Sequence, residues 1–170
     1  MSLDPPSQHR AYAPEAVQCA VLTVSDSRTA DSDSAGDLIE DRLVAAGHKV
    51  VERSLLPDET DLVRAFCERA IDRADVDALI VTGGSGIAPR DTTPEAVAPL
   101  LEKPLPGFGE LFRFLSFQEV GPAAMLSRAV AGTAARTVVF VLPGSRGAVQ
   151  LALERLILPE LGHLVGQLRR

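Results

Sequence analysis

The stretch DALIVTGGSGIAPRDTTPEA, residues 77–96, decides how the rest of the chain is read. Asp77 to Val81 is a short apolar run bounded by turn residues, the pattern of a strand buried on both faces. It enters a glycine turn at Gly83, Gly84 and Gly86. Pro94 then stands where proline suits the first turn of a helix carrying Val97, Leu100 and Leu101. Strand, turn and helix in immediate succession form one unit of an alternating α/β chain. Upstream, Thr60 to about Ala74 carries an apolar stripe at helical spacing (Leu62, Val63, Phe66, Ala70, Ile71), and His48 to Leu56, closed by Pro57, reads as a strand. Before these, a helix places Leu38, Ile39, Leu43 and Val44 on one face, with Ser34 as N-cap, Asp37 three residues on and Gly47 at its end. Val17 to Val24 is the first strand, followed by the polar run Ser25 to Ser34.

Downstream, Thr137 to Leu142 (TVVFVL) is a fourth strand, running through Pro143-Gly144-Ser145 into a helix from Arg146 towards Leu158 with Val149, Leu153, Leu156 and Ile157 inward. Leu161, Leu164, Val165 and Leu168 form a further helix face packed on the core. This alternation predicts an α/β fold in three layers, α/β/α, around a mostly parallel sheet. Gly107 to Gly132 follows neither period, holding Phe108, Phe112, Phe114, Phe117, Pro122, Arg113 and Arg128. Its phenylalanines are expected in the core, with contact to another subunit as the alternative.

A chain of 170 residues suits one domain, expected over 17–170 behind a flexible arm at 1–16, where prolines and polar residues show no period. At 46% hydrophobic and 24% charged residues it has the composition of a packed soluble fold, not of a disordered chain. Its net charge of −6 offers no bulk attraction to DNA or RNA, so no nucleic-acid partner is expected. No apolar run is long enough for a membrane span, and the first residues lack the apolar core of a signal peptide. Cys19 and Cys67 form no CxxC pair and suggest neither a disulfide framework nor a zinc site, which fits a reducing cytoplasm.

In an open parallel sheet, ligands sit beyond the carboxyl ends of the strands, where loops and helix starts present free N–H groups. All four strand ends here carry such punctuation: Ser25-Asp26-Ser27-Arg28, Pro57-Asp58-Glu59, Gly83-Gly84-Ser85-Gly86 and Pro143-Gly144-Ser145. The glycine loop lets the backbone approach a ligand closely and suits an anion, phosphate above all. It is neither a GxxxxGK[ST] loop nor a GxGxxG fingerprint. Asp91 and Asp58 suit a divalent ion bridging phosphates, and Arg90 suits a phosphate oxygen. The alternative roles are a helix cap around Asp91 and a turn residue at Asp58. His9, His48 and His163 show no ligand or triad spacing, and Ser85 and Ser145 lack the G-x-S-x-G pattern of a hydrolase nucleophile.

With these residues in view, the chain resembles the molybdenum cofactor biosynthesis proteins of the MoaB/MogA family, which are molybdopterin-binding. The run TGGSGIAPRDTTPEA from Thr82 to Ala96 resembles the family's glycine loop and acidic segment. The likeness extends from about Val17 to Leu161 through Val24–Arg28, Pro57–Glu59, Pro106–Glu110, Leu126–Gly132 and Leu142–Ser145, and LSFQEVG at 115–121 is closer to the MoaB branch. The resemblance implies a molybdopterin-binding-like fold and an adenylyltransferase that joins AMP from Mg·ATP to the terminal phosphate of molybdopterin, releasing pyrophosphate. It implies catalytic and Mg²⁺-binding roles for Asp58 and Asp91. It also implies ligand contacts from Thr82, Gly83, Gly84, Ser85, Gly86, Arg90, Pro143, Gly144 and Ser145, with Ser25 and Asp26 beside them. A homotrimer or homohexamer is expected, with other cofactor-biosynthesis proteins as partners. The competing class is a binding module that holds or delivers the pterin without catalysis, followed by a nucleotide hydrolase sharing the domain.

Overall fold

The computed structural model describes residues 14–170. Most of the expected arm, and His9, lie outside the described residues. Six strands form one sheet: β1 (Gln18–Val24), β2 (Lys49–Leu56), β3 (Ala78–Thr82), β4 (Lys103–Pro104), β5 (Val130–Ala134) and β6 (Thr137–Leu142). Their order is β2-β1-β3-β6-β5-β4. The first four in that order are parallel, whereas at one edge β5 runs antiparallel to β6, and β4 antiparallel to β5. The helices are α1 (Ser34–Ala45), α2 (Thr60–Ile71), α3 (Thr93–Val97), α4 (Pro106–Val120), α5 (Arg146–Ala152) and α6 (Leu158–Leu168), the last two joined by a π turn at Leu153–Ile157.

Strand alternation splits the core in two. Cys19 and Val21 of β1, Ile80 of β3 and Phe140 of β6 face one cluster, closed by Leu38 and Leu43 of α1, Phe112 of α4 and Val149 of α5. Ala20, Leu22, Leu79, Val81, Val139 and Val141 face the other, closed by Val63, Phe66 and Ala70 of α2 and Val97 of α3. Because β1, β3 and β6 are covered on both sides, their sequences are continuous apolar runs. The three-layer, mostly parallel fold expected from the sequence is the one observed.

The differences are local. The N-cap of α1 is Asp33, not Ser34: the Asp33 carboxylate accepts from the Gly36 N–H at 3.0 Å. Val44 and Leu62, placed on apolar faces by their spacing, are exposed, and Leu156 is only half-buried. Thr60 to Ala74 ends early as a helix, at Ile71. The irregular stretch resolves into α4, a 3-10 turn at Gly121–Leu126, and β5. Its phenylalanines divide: Phe112 is buried and Phe108 packs between it and Phe140, while Phe114 and Phe117 face outward.

Asp33 ties the first unit together. Buried to 1% exposure, it accepts from Thr23 Oγ1 of β1 at 2.7 Å and from Arg53 of β2 at 3.0 Å. Burial pushes its carboxyl up, but the hydrogen bonds from Gly36, Thr23 and Arg53 outweigh it and hold the group below its ordinary value of 3.8. Its folded-state value therefore lies below the unfolded one, so its stabilisation is present above the unfolded range and is lost as pH falls through the folded one. Asp33→Asn is expected to destabilise by about 3 kcal/mol near neutrality. In urea unfolding at stepped pH, its deficit against wild type should shrink below pH 3.8; a deficit independent of pH would contradict this role.

Candidate functional site

The sheet order reverses around β1: its own connection leads to β2 on one side, while β3 lies on the other. Loops leaving β1 and β3 therefore diverge and open a crevice at their carboxyl ends. A cleft of about 660 Å³ occupies this place. One wall consists of Ser25, Ser27 and Arg28 after β1, Asp58 after β2, Gly83 to Gly86 and Asp91 after β3, and Pro143 to Ser145 after β6. The facing wall comes from α4 and the following turn, and mixes Phe112, Val120 and Leu126 with Ser116 and Glu119. The cleft thus has a polar end at the strand termini and a half-apolar side, as suits a ligand with both a charged group and a flat ring.

At the polar end the glycine loop is set by close backbone approach. Gly83 has φ +96° and Gly84 φ +59°, and a side chain at Gly83 would strike the Val24 carbonyl oxygen of β1. The Gly83 N–H donates to Leu142 O at 3.1 Å, which anchors the loop on β6. Gly84 O accepts from the Thr93 N–H at 2.9 Å. Among the described residues nothing accepts from the N–H groups of Gly84, Ser85 and Gly86. Three such amides in a concave loop form a ready anion site.

Both predicted acidic residues press against this loop. Asp58 Oδ1 lies 2.5 Å, and Asp91 Oδ2 2.7 Å, from where side chains at Gly84 and Gly86 would begin. Asp58 Oδ2 accepts from the Asp26 N–H at 3.1 Å, but among the described residues the buried Oδ1 has no hydrogen-bond partner. Burial pushes the Asp58 carboxyl up, and the neighbouring carboxylates of Asp26 and Asp91 add to it. An orphaned carboxylate oxygen with a second carboxylate near it is a donor set suited to a hard divalent cation. Among the described residues no three His, Cys, Asp or Glu side chains are placed to hold a metal ion together, so ligand oxygens and water would complete the coordination.

The other predicted residues fall into three groups. Pro143, Gly144, Ser145, Ser25 and Ser85 line the cleft beside the glycines. Ser145 Oγ also caps α5 by accepting from the Ala148 N–H at 3.4 Å, and Ser25 Oγ accepts from the N–H groups of Ser27 and Arg28. Thr82 is buried short of the cleft wall and donates to Pro143 O at 3.0 Å, binding the two turns together. Asp26 and Arg90 sit at the mouth, bonded to each other at 2.6 Å and 3.0 Å. The Arg90 hydrogen bonds are the main cause that holds the Asp26 carboxyl below the usual range.

Two arginines were missed. Arg28 lines the cleft and donates to Gly144 O at 2.9 Å; its place in a strand-end polar run was the available signal. Arg128, which bonds the glycine loop, lies within the irregular stretch, and its place in the Leu126–Gly132 run was the only signal it carried.

The chain matches the model of a probable molybdopterin binding domain over residues 20–163. It is 51% identical over 162 residues to molybdenum cofactor biosynthesis protein B of Halalkalibacterium halodurans, covering 95% of each chain. A crystal structure of a molybdenum cofactor biosynthesis protein B superposes with a TM-score of 0.90 at 47% identity, over 93% of this chain and 99% of that one. The tungsten cofactor synthesizing protein MoaB from Pyrococcus furiosus superposes with a TM-score of 0.82 at 37% identity, over 93% of this chain and 100% of that one. With the fold, the strand-end cleft and these likenesses in agreement, the chain belongs to the molybdopterin-binding-domain family, among the molybdenum cofactor biosynthesis proteins of the MoaB/MogA group.

Proposed function

We propose that the cleft binds molybdopterin by its terminal phosphate and transfers AMP to that phosphate from Mg·ATP. The observation that carries this reading is the meeting of two carboxylates, Asp58 and Asp91, with three amides at Gly84, Ser85 and Gly86 that have no acceptor among the described residues. Such a place holds a phosphate and a cation side by side, and that is the arrangement phosphoryl chemistry requires. Asp58 and Asp91 would hold Mg²⁺, which when bound offsets charge on the reacting phosphates.

The chain's own residues would act by positioning. The loop amides hold the pterin phosphate so that one of its oxygens faces the α-phosphorus of ATP. That oxygen forms the new P–O bond, and the bond from the α-phosphorus to the β-bridging oxygen breaks. The bridging oxygen departs with pyrophosphate, so no oxidant and no covalent enzyme intermediate are needed. Arg90 would leave Asp26 to meet a phosphate as ligands enter, and the half-apolar wall of α4 would cover a ring. We place this activity in the cytoplasm, in a homotrimer or homohexamer using exposed Phe114 and Phe117 of α4 as contacts, with other cofactor-biosynthesis proteins as partners; light scattering showing a monomer would remove the oligomer.

The test is pyrophosphate release on mixing the protein with molybdopterin, Mg²⁺ and ATP. Release that needs all three components is expected. Pterin binding without any release would make the chain a non-catalytic binding module.

A further inference from the structure

Arg128 reaches the glycine loop from the side opposite the cleft. It borders an apolar pocket between α3 and β5 and is absent from the cleft wall. Its Nε donates to Gly86 O at 2.8 Å and to Ser85 O at 3.3 Å, and its Nη2 donates to Asp91 O at 2.6 Å. Nη1 pairs with Glu95, and this bond is the main cause that holds the Glu95 carboxyl below the usual range. The segment carrying Arg128 is itself held to α4, where Arg113 donates to Ser127 O at 3.5 Å and to Ala129 O at 3.3 Å.

In a planar trans peptide the C=O of one residue and the N–H of the next point opposite ways. Holding Ser85 O behind the loop therefore turns the Gly86 N–H towards the cleft. Thr93 does the same one residue earlier, since it holds Gly84 O and so turns the Ser85 N–H. The bond to Asp91 O fixes the backbone from which the Asp91 carboxylate reaches Gly86. Only a guanidinium presents enough donors in one rigid plane to serve these three carbonyls and a carboxylate together.

We infer that Arg128 is a positioning residue for the phosphate end of the cleft: acting through the carbonyls of Ser85, Gly86 and Asp91, it orients the loop amides and the Asp91 carboxylate towards a bound phosphate. The inference rests on reading the cleft as the site of a phosphorylated pterin. It extends that reading, because Arg128 stands outside the cleft wall and its charge is already met by Glu95.

The experiment compares binding of molybdopterin with binding of the same pterin after phosphatase treatment. Arg128→Ala should weaken the phosphorylated pterin by about 10- to 100-fold and leave the dephosphorylated one within about twofold, because only the phosphate uses the loop amides. Methylguanidinium should restore the loss, whereas Arg128→Lys, which keeps charge without the planar fork, should not. Glu95→Gln, the milder variant, should reproduce a smaller part of the effect. Equal loss for both ligands, or wild-type affinity in Arg128→Lys, would overturn the inference. The amide resonance of Gly86 supplies a readout free of ligand: it should move in Arg128→Ala and return with methylguanidinium. A wild-type protein that binds both pterins alike would refute the reading of the cleft, while an unmoved Gly86 resonance would refute the role of Arg128.

Discussion

Replacing Asp91 by Asn is expected to lower adenylyl transfer by about 10³-fold, roughly 4 kcal/mol of transition-state stabilisation, with little change in stability. Asn retains a side-chain carbonyl oxygen that can still accept from the Ala88 N–H, the bond Asp91 Oδ2 makes at 2.8 Å. The backbone carbonyl that Arg128 holds is untouched as well. What disappears is the negative charge against the loop, and with it one of the two carboxylates proposed to hold the cation. The loss should therefore fall on turnover and on the Mg²⁺ concentration needed for it, with pterin affinity and unfolding midpoint near wild type. Near-wild-type turnover would sink the assignment of Asp91.

Gly83→Ala should be the most damaging change in the loop that is not a change of charge. At φ +96° an L side chain is strained, which costs about 1–3 kcal/mol. The added methyl would also meet Val24 O, part of the backbone of a central strand that cannot move aside. On the other face of the turn, a side chain at Gly144 would begin 3.2 Å from Gly83 Cα, so the two turns are already packed backbone to backbone. We expect a destabilisation of about 3 kcal/mol or more, read as a lower urea midpoint, together with loss of pterin binding. Gly107→Ala, where nothing lies within 4 Å, is the control and should leave both nearly unchanged.

The parallel half of the sheet was readable because strands covered on both faces must be apolar without interruption, as DALIV and TVVFVL are. The antiparallel edge was not. β5 reads Val-Ala-Gly-Thr-Ala, poor in the branched and aromatic residues that mark strands, and it joins β6 through Ala135 and Arg136. A two-residue hairpin turn usually announces itself by Asn-Gly or a similar pair, whereas here Ala135 takes φ 49° without such a residue. α4 hid differently. Phe114 and Phe117 face outward while Phe112 faces in, which blurs the helical period, although Pro106 at its start and Gly121 past its end were usable marks. At Val44 and Leu62 the apolar stripe was wider than the surface the sheet covers.

The candidate site was legible to the extent that it lies in strand-end loops. Asp58, Asp91 and the glycines are where such loops put them, beside one another at one edge. What spacing could not convey is partnership. Arg90 and Asp26 look alike as free polar residues in sequence, yet they satisfy each other at the mouth. Thr82 spends its hydroxyl on Pro143 O, and Arg128 comes from far along the chain to hold the loop from behind. Long-range pairs of this kind leave no local pattern, because the fold alone brings the partners together.

The central claim is that this cleft moves AMP from ATP onto the pterin phosphate. Its most direct test is a transfer reaction run with ATP labelled at the α-phosphate and, in parallel, at the γ-phosphate, in the presence of molybdopterin and Mg²⁺. The account predicts that the α-label enters the pterin one for one while the γ-label leaves in pyrophosphate. If the γ-label appears as inorganic phosphate, or the pterin stays unlabelled while it binds, the claim is contradicted.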